Sequence, residues 1–388
     1  MPLPVLAFDV NDQLSISGLL AAAGQCQNVS ALLPSDFYGR PLAADGNPME
    51  EPFEGEPAGG YDLTMDAFSN ECRGGMPFQL EISYHPNESN EFFVTFGFAA
   101  GNSLNEVSPW NLAPWAADLE DDVKDINGSN RSYLLAAWYK YTQKFQNESI
   151  LGATIGIIDS TNYLDGNAYA NDEYTQFMNE SFVNAGNYNL PSYDVGVALE
   201  FAYGSWTFNG LGMNITENDE GYNYNFWGAE IAYHPETALG AGNYRLGIEG
   251  TSSAFLDPSG EKKDSLLSYD LSFDQEFGNI VGGFLRFTWQ QEDAAVDYKA
   301  LYSGGINFSG KGWNRDEDNI GVGYAYLEGG NQSVENTQVF EAYYRAVLNE
   351  YAAITADIQY MKDDITNVDS RQENPEGWIF GMRLTAEF

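Results

Sequence analysis

Positive charge is scarce. Lys and Arg number 17 against 57 Asp and Glu, a formal net charge of −40. Nothing basic is available to neutralise phosphates, so nucleic-acid binding is excluded. Histidine is almost absent. His85 and His234 lie at predicted strand ends, and no metal-ligand spacing or Ser/His/Asp arrangement forms around either. The sequence therefore argues against an enzyme and calls for no cofactor and no metal. Asp125-Ile126-Asn127-Gly128 has the look of a calcium loop without its full ligand spacing. No apolar run approaches the roughly 20 residues a membrane helix needs. No Pro- or Ser-rich linker divides the 388 residues, so the chain reads as one domain, 1–388. Met1 to Phe8 lacks the basic start of a secretory signal, and export predicts a longer precursor. The two cysteines, Cys26 and Cys72, are most simply a disulfide in an oxidising compartment. It would close a loop of about 45 residues, worth roughly 4 kcal/mol in the chain-entropy model.

What the chain has in plenty is glycine (40) and aromatics, with 25 Tyr, 24 Phe and 8 Trp. The last twelve residues, Gly377 to Phe388, show the governing pattern. Trp378, Phe380, Met382, Leu384, Ala386 and Phe388 share one parity, and Gly381, Arg383, Thr385 and Glu387 the other, with Ile379 the one large apolar intruder. Side chains alternate across a strand, so this strand has a greasy face and a polar face, with aromatics at both ends of the greasy one.

Sixteen such segments recur, near 13–26, 77–86, 92–101, 131–143, 149–158, 192–202, 205–214, 221–234, 242–255, 265–275, 279–291, 297–308, 318–328, 338–348, 351–361 and 377–388. Only helices and closed barrels satisfy a backbone in lipid, and no helix of the required kind exists. The fold class is therefore all-β, a 16-stranded antiparallel transmembrane β-barrel with short periplasmic turns and long extracellular loops. Connections at 27–76, 102–130, 159–191 and 362–376 fall on one side, and short turns on the other. Sixteen strands predict a water-filled lumen. Segment 221–234 reads as bulged near Trp227, where its apolar parity slips.

Four of the nine arginines, Arg245, Arg286, Arg345 and Arg383, fall at inward positions of the ninth, eleventh, fourteenth and sixteenth strands. They either pair with the inward carboxylates Glu249, Asp274, Glu341 and Asp357 or form a basic ladder facing an acidic loop across a narrow pore. The loop at 159–191 is the candidate opposing wall. It offers Asp159, Asn162, Asp165, Asp172 and Glu173 as acceptors for sugar hydroxyls, and Tyr163, Tyr169 or Tyr174 as flat faces for the ring.

Asn111 to Asp125 (NLAPWAADLEDDVKD), the TNYLDGNAYANDE stretch from Thr161, Leu271 to Gln275 (LSFDQ), Gly304 to Gly323 and Glu341 to Arg345 (EAYYR) together resemble the carbohydrate-selective porins of the OprB type. The resemblance implies a bacterial outer-membrane barrel with a mobile or inward-folded third loop, passing monosaccharides by facilitated diffusion. It implies small sugars as solutes, outer-membrane lipid and lipopolysaccharide as surroundings, and a homotrimer or a monomer. The strong acidity departs from the family pattern. It favours two rivals, a general cation-selective pore and a surface-display barrel whose first loop, 27–76, binds a partner.

Overall fold

The structure is a computed structural model that describes residues 7–29, 70–105, 107–112, 114–115, 123, 126–129, 131, 133–366 and 374–388. The outer part of the first loop, Asp125 and most of the Asn111 to Asp125 stretch lie outside the described residues. Alternation produces sixteen long strands. They are β1 (Leu14–Val29), β2 (Cys72–Asn87), β3 (Asn90–Ala100), β4 (Leu134–Lys144), β5 (Ile150–Ile158), β6 (Asp194–Tyr203), β7 (Trp206–Ile215) and β8 (Tyr224–Tyr233). The second half comprises β9 (Gly240–Thr251), β10 (Leu267–Phe277), β11 (Val281–Gln290), β12 (Tyr298–Ser309), β13 (Asn319–Gly329), β14 (Val334–Asn349), β15 (Ala352–Ile365) and β16 (Glu376–Glu387). Each strand pairs antiparallel with its sequence neighbours, and β16 returns to pair with β1, Leu19 opposite Glu387 through Val29 opposite Gly377. The sheet is thus closed and has no edge to protect. A short strand, Ala7–Asn11, pairs with the start of β1 and continues the column that β16 leaves at Phe388.

The outer face is greasy throughout. On β16, Trp378, Phe380, Met382 and Leu384 are exposed, while Ile379, Arg383 and Thr385 between them are buried inside. β1 and β2 run further than the pattern suggested, so the first loop spans only Val29 to Cys72. Cys26 and Cys72 lie directly opposite in that extension and form a disulfide.

Two sequence expectations need correction. β8 has no bulge: it alternates without a break and pairs in continuous register with β7 and β9. Tyr224 and Phe226 point inward into an apolar cluster that Leu164 of the third loop joins. Nor is the lumen simply water-filled. Leu104, Trp110 and Leu112 of the second loop and Phe177, Phe182 and Tyr188 of the third meet inward Phe284, Leu301, Leu327, Val339, Tyr343 and Met361 in one apolar cluster. Burying that surface ties both loops to the wall at roughly 25 cal/mol per Å².

Candidate functional site

The third loop, residues 159–193, lies inside the barrel, and inward side chains hold it by its backbone. Arg286 on β11 donates from Nε to Asp165 Oδ1 at 2.9 Å, from Nη1 to the Phe182 carbonyl at 3.2 Å and from Nη2 to the Ala170 carbonyl at 2.7 Å. Glu341 on β14 accepts from the N–H groups of Met178 at 2.6 Å and Asn179 at 3.0 Å. Arg383 on β16 donates to the carbonyls of Glu173 and Gln176. Glu230 on β8 accepts from Asp165 N–H at 2.8 Å, and Glu249 on β9 accepts from Asn189 N–H at 2.7 Å. An irregular loop in a lumen needs such partners, because its backbone groups lack a ladder of their own.

This places the predicted site residues differently from an arginine ladder facing an acidic wall. Arg286 and Arg383 have no exposed surface, and Arg245 and Arg345 keep 8% and 5%. A guanidinium buried beneath the loop cannot also reach a passing solute, so Arg286 and Arg383 anchor the loop. Arg245 pairs with Asp274 at 2.7 Å, whereas Arg286 pairs with a loop carboxylate rather than a wall one. Asp165 is fully buried and occupied by Arg286. Asp172 shapes its own turn by accepting from Tyr174 N–H and the Thr175 hydroxyl. Tyr169 packs against the apolar cluster, and Tyr174 stands edge-on to Trp115. Half-buried Glu173 sits beside Asp172, and burial and that charge push its carboxyl up to about 7. Of the predicted loop residues, exposed Asn162 and the largely buried Asp159 and Tyr163 line a route past the loop.

That route follows the wall of β2 to β9. A recess of about 570 Å³ at the long-loop rim carries Glu180, Glu217, Asp219, Glu220 and Asp297. It shares Tyr193 with a cavity of about 320 Å³ lined by Glu81, Phe93, Trp138, Lys140, Asp159 and Glu200. That cavity in turn shares Lys140, Asn162, Tyr163 and Glu200 with one of about 380 Å³ that reaches Asn209, His234 and Arg245 towards the short-turn rim. The shared residues lie where the two cavities adjoin. Lys140 Nζ lies 2.5 Å from Glu200 Oε2 across β5, where Gly152 is bare. A Cβ on Gly152 would stand 3.1 Å from Lys140 Cε and 3.2 Å from the same Glu200 oxygen. Phe93 and Trp138 stack at 4.8 Å with an interplanar angle of 21°. Burial pushes the Tyr163 hydroxyl up to about 12, so it stays a neutral phenol, and Asn209 fixes the loop there by donating to the Tyr163 carbonyl at 2.8 Å. Burial also raises the Asp159 carboxyl, partly offset by the N–H and hydroxyl of Thr161.

Lys140, Glu200, Glu81, Trp138 and Phe93 were not singled out in the sequence. Their signal was available: Phe93 and Trp138 are aromatics on the inward parity, where a solvated wall has no use for them.

A closed sixteen-stranded barrel with an inward loop and a polar route past it is the architecture of a porin and points to a channel. Residues 118–388 match the model of the carbohydrate-selective porin OprB family. An uncharacterized protein of Aquifex aeolicus (strain VF5) is 30% identical over 327 residues, 82% of this chain and 91% of its own. The chain belongs to the OprB family. The high-pH structure of Pseudomonas putida OprB superposes with a TM-score of 0.67 at 13% identity, covering 97% of this chain and 94% of that one. OmpT of Vibrio cholerae gives 0.52 at 9% identity over 99% and 100%. At such identities these two likenesses establish the fold alone.

Proposed function

We propose that the chain passes monosaccharides and similar small polar solutes passively across the bacterial outer membrane, along the route between the third loop and the β2–β9 wall. The observation that carries this is the make-up of the place where the two cavities adjoin. The stacked Phe93–Trp138 pair and the Tyr163 ring offer flat apolar faces beside Lys140, Glu200, Asp159 and Asn162, which donate to and accept from hydroxyls. Ligand sites run from roughly 300 to 1,000 Å³, and each cavity on the route suits one small solute. Contacts from few groups keep binding weak enough for flux. Arg245 adds a donor below, while Arg286, Arg383, Asp165 and Glu341 act by positioning the loop. The family's description as carbohydrate-selective agrees with this reading.

Single-channel conductance in a planar bilayer, with glucose titrated in, tests it. Saturable block that weakens about tenfold in Trp138→Ala is expected. A current indifferent to glucose sinks the sugar reading. It would leave a general cation-selective pore, which the acidic rim of Glu217, Asp219, Glu220 and Asp297 favours.

A further inference from the structure

Of the four inward arginines, Arg345 on β14 is the one left without a partner. Arg245 is held by Asp274, Arg286 by Asp165 and two loop carbonyls, and Arg383 by loop carbonyls. Arg345 is 5% exposed, its Nε has no hydrogen-bond partner, and among the described residues no carboxylate lies in salt-bridge range of it. Directly opposite it in register on β13 stands Asn319, whose buried Oδ1 is also unpartnered. Side chains so placed have Cβ atoms about 5 Å apart, yet neither orphan bonds the other. Buried polar atoms are nearly always bonded, so a donor and an acceptor left side by side need a reason. Both residues line a cavity of about 580 Å³ at the short-turn rim, together with Asn307, Thr385, Glu387 and Tyr351. It shares no lining residue with the three cavities of the route along β2 to β9.

We propose that this cavity is a second solute subsite, built for a neutral vicinal diol such as two adjacent hydroxyls of a sugar. One hydroxyl accepts from the Arg345 guanidinium and its neighbour donates to Asn319 Oδ1, which gives both orphans a partner. Thr385 and half-buried Glu387 on β16 add a hydroxyl and acceptor oxygens, and exposed Tyr351 offers a flat face at the mouth. The volume suits one small solute, ligand sites running from roughly 300 to 1,000 Å³. The lining also discriminates against anions. Asp318 is neutralised by Arg315 and accepts from the Tyr344 hydroxyl and the Val347 N–H. Glu387 and the exposed Asp316, Glu317 and Glu350 have no cation in salt-bridge range among the described residues. A carboxylate approaching Arg345 meets those charges, whereas a neutral polyol does not. The subsite rests on the sugar reading of the pore and adds a resting place on the other half of the barrel.

The test uses the full chain in detergent and methyl α-glucoside, with bound sugar read by saturation-transfer NMR. Trp138→Ala removes the contribution of the β2–β9 route. In that background Arg345→Ala and Asn319→Ala should each weaken the remaining binding at least fivefold. Arg345→Lys keeps the charge without the fork and should weaken it as well. Asp316→Asn, at the mouth, should leave it unchanged, and gluconate should compete at least fivefold less well than glucose. Native migration on an unheated gel verifies that each variant folds. The subsite is overturned, and the orphans are met by water alone, if Arg345→Ala and Asn319→Ala leave the Trp138→Ala signal unchanged or if Trp138→Ala by itself abolishes transfer. Gluconate competing as well as glucose overturns it too. Transfer lost in Arg345→Ala but unaltered in Trp138→Ala sustains the subsite and removes the β2–β9 site instead. No transfer in the wild type overturns the subsite, and liposome swelling in glucose then decides separately whether the pore passes sugar.

Discussion

Lys140 and Glu200 face each other across a bare glycine where two cavities of the route adjoin, each about a quarter to a third exposed (26% and 32%). Partly solvated pairs contribute little to stability, about 0–1 kcal/mol, so their role is in the field along the pore. Lys140→Ala should leave the melting temperature nearly unchanged and shift the reversal potential in a salt gradient towards cations; an unmoved potential would remove Lys140 from the route. Glu173 gives a second residue-scale expectation. Its carboxyl is raised from 4.5 to about 7, so the folded state holds a proton that the unfolded state has released. The stability this lends is full below about 4.5 and is lost as pH rises through 7. Thermal unfolding should therefore fall between pH 5 and pH 8 by more in the wild type than in Glu173→Gln. Equal slopes in the two proteins would show that Glu173 is not the titrating group.

At the scale of elements, the third loop has no ladder of its own, and its position rests on a few wall side chains. Arg286→Ala leaves Asp165 buried without its cationic partner while releasing two loop carbonyls. Breaking a buried pair from one side costs about 3–5 kcal/mol. The barrel should still close, since its strand pairing is untouched, but the loop should loosen, with larger and noisier single-channel conductance as the readout. Glu341→Ala orphans the N–H groups of Met178 and Asn179, at about 1–3 kcal/mol each, and should act in the same direction. Conductance identical to wild type in both variants would mean that the apolar cluster alone seats the loop.

For the molecule as a whole, closure between β1 and β16 makes the sheet cooperative, and the disulfide is an addition to it. Cys26→Ser with Cys72→Ser should still fold, because Leu14 to Leu20 pair with β2 in unbroken register far from the sulfurs. The loss is bounded by roughly 4 kcal/mol of loop-closure entropy. The unfolding temperature on a gel, with and without reductant, should drop for the wild type and stay constant for the double variant.

The strand number, their antiparallel order and the sidedness of long and short connections were legible in the sequence. Alternation is a local property, repeated in each segment, and lipid outside enforces it on every outward side chain. The inward face obeys no such uniform solvent. Arg286, Glu341 and Ile379 all fall on the predicted parity, yet what each faces is a loop segment, and the partners of Arg286 lie 104 to 121 residues away. Parity says that a side chain points inward; it does not say whether water or a folded loop meets it. That choice belongs to the packing of Phe177, Phe182 and Trp110 against the far wall, which fills one side of the lumen and leaves the route along β2 to β9. The barrel is written in the chain's alternation, because period two is read one strand at a time. The pore is set by packing across the lumen, because contacts between a loop and a distant wall have no local signature.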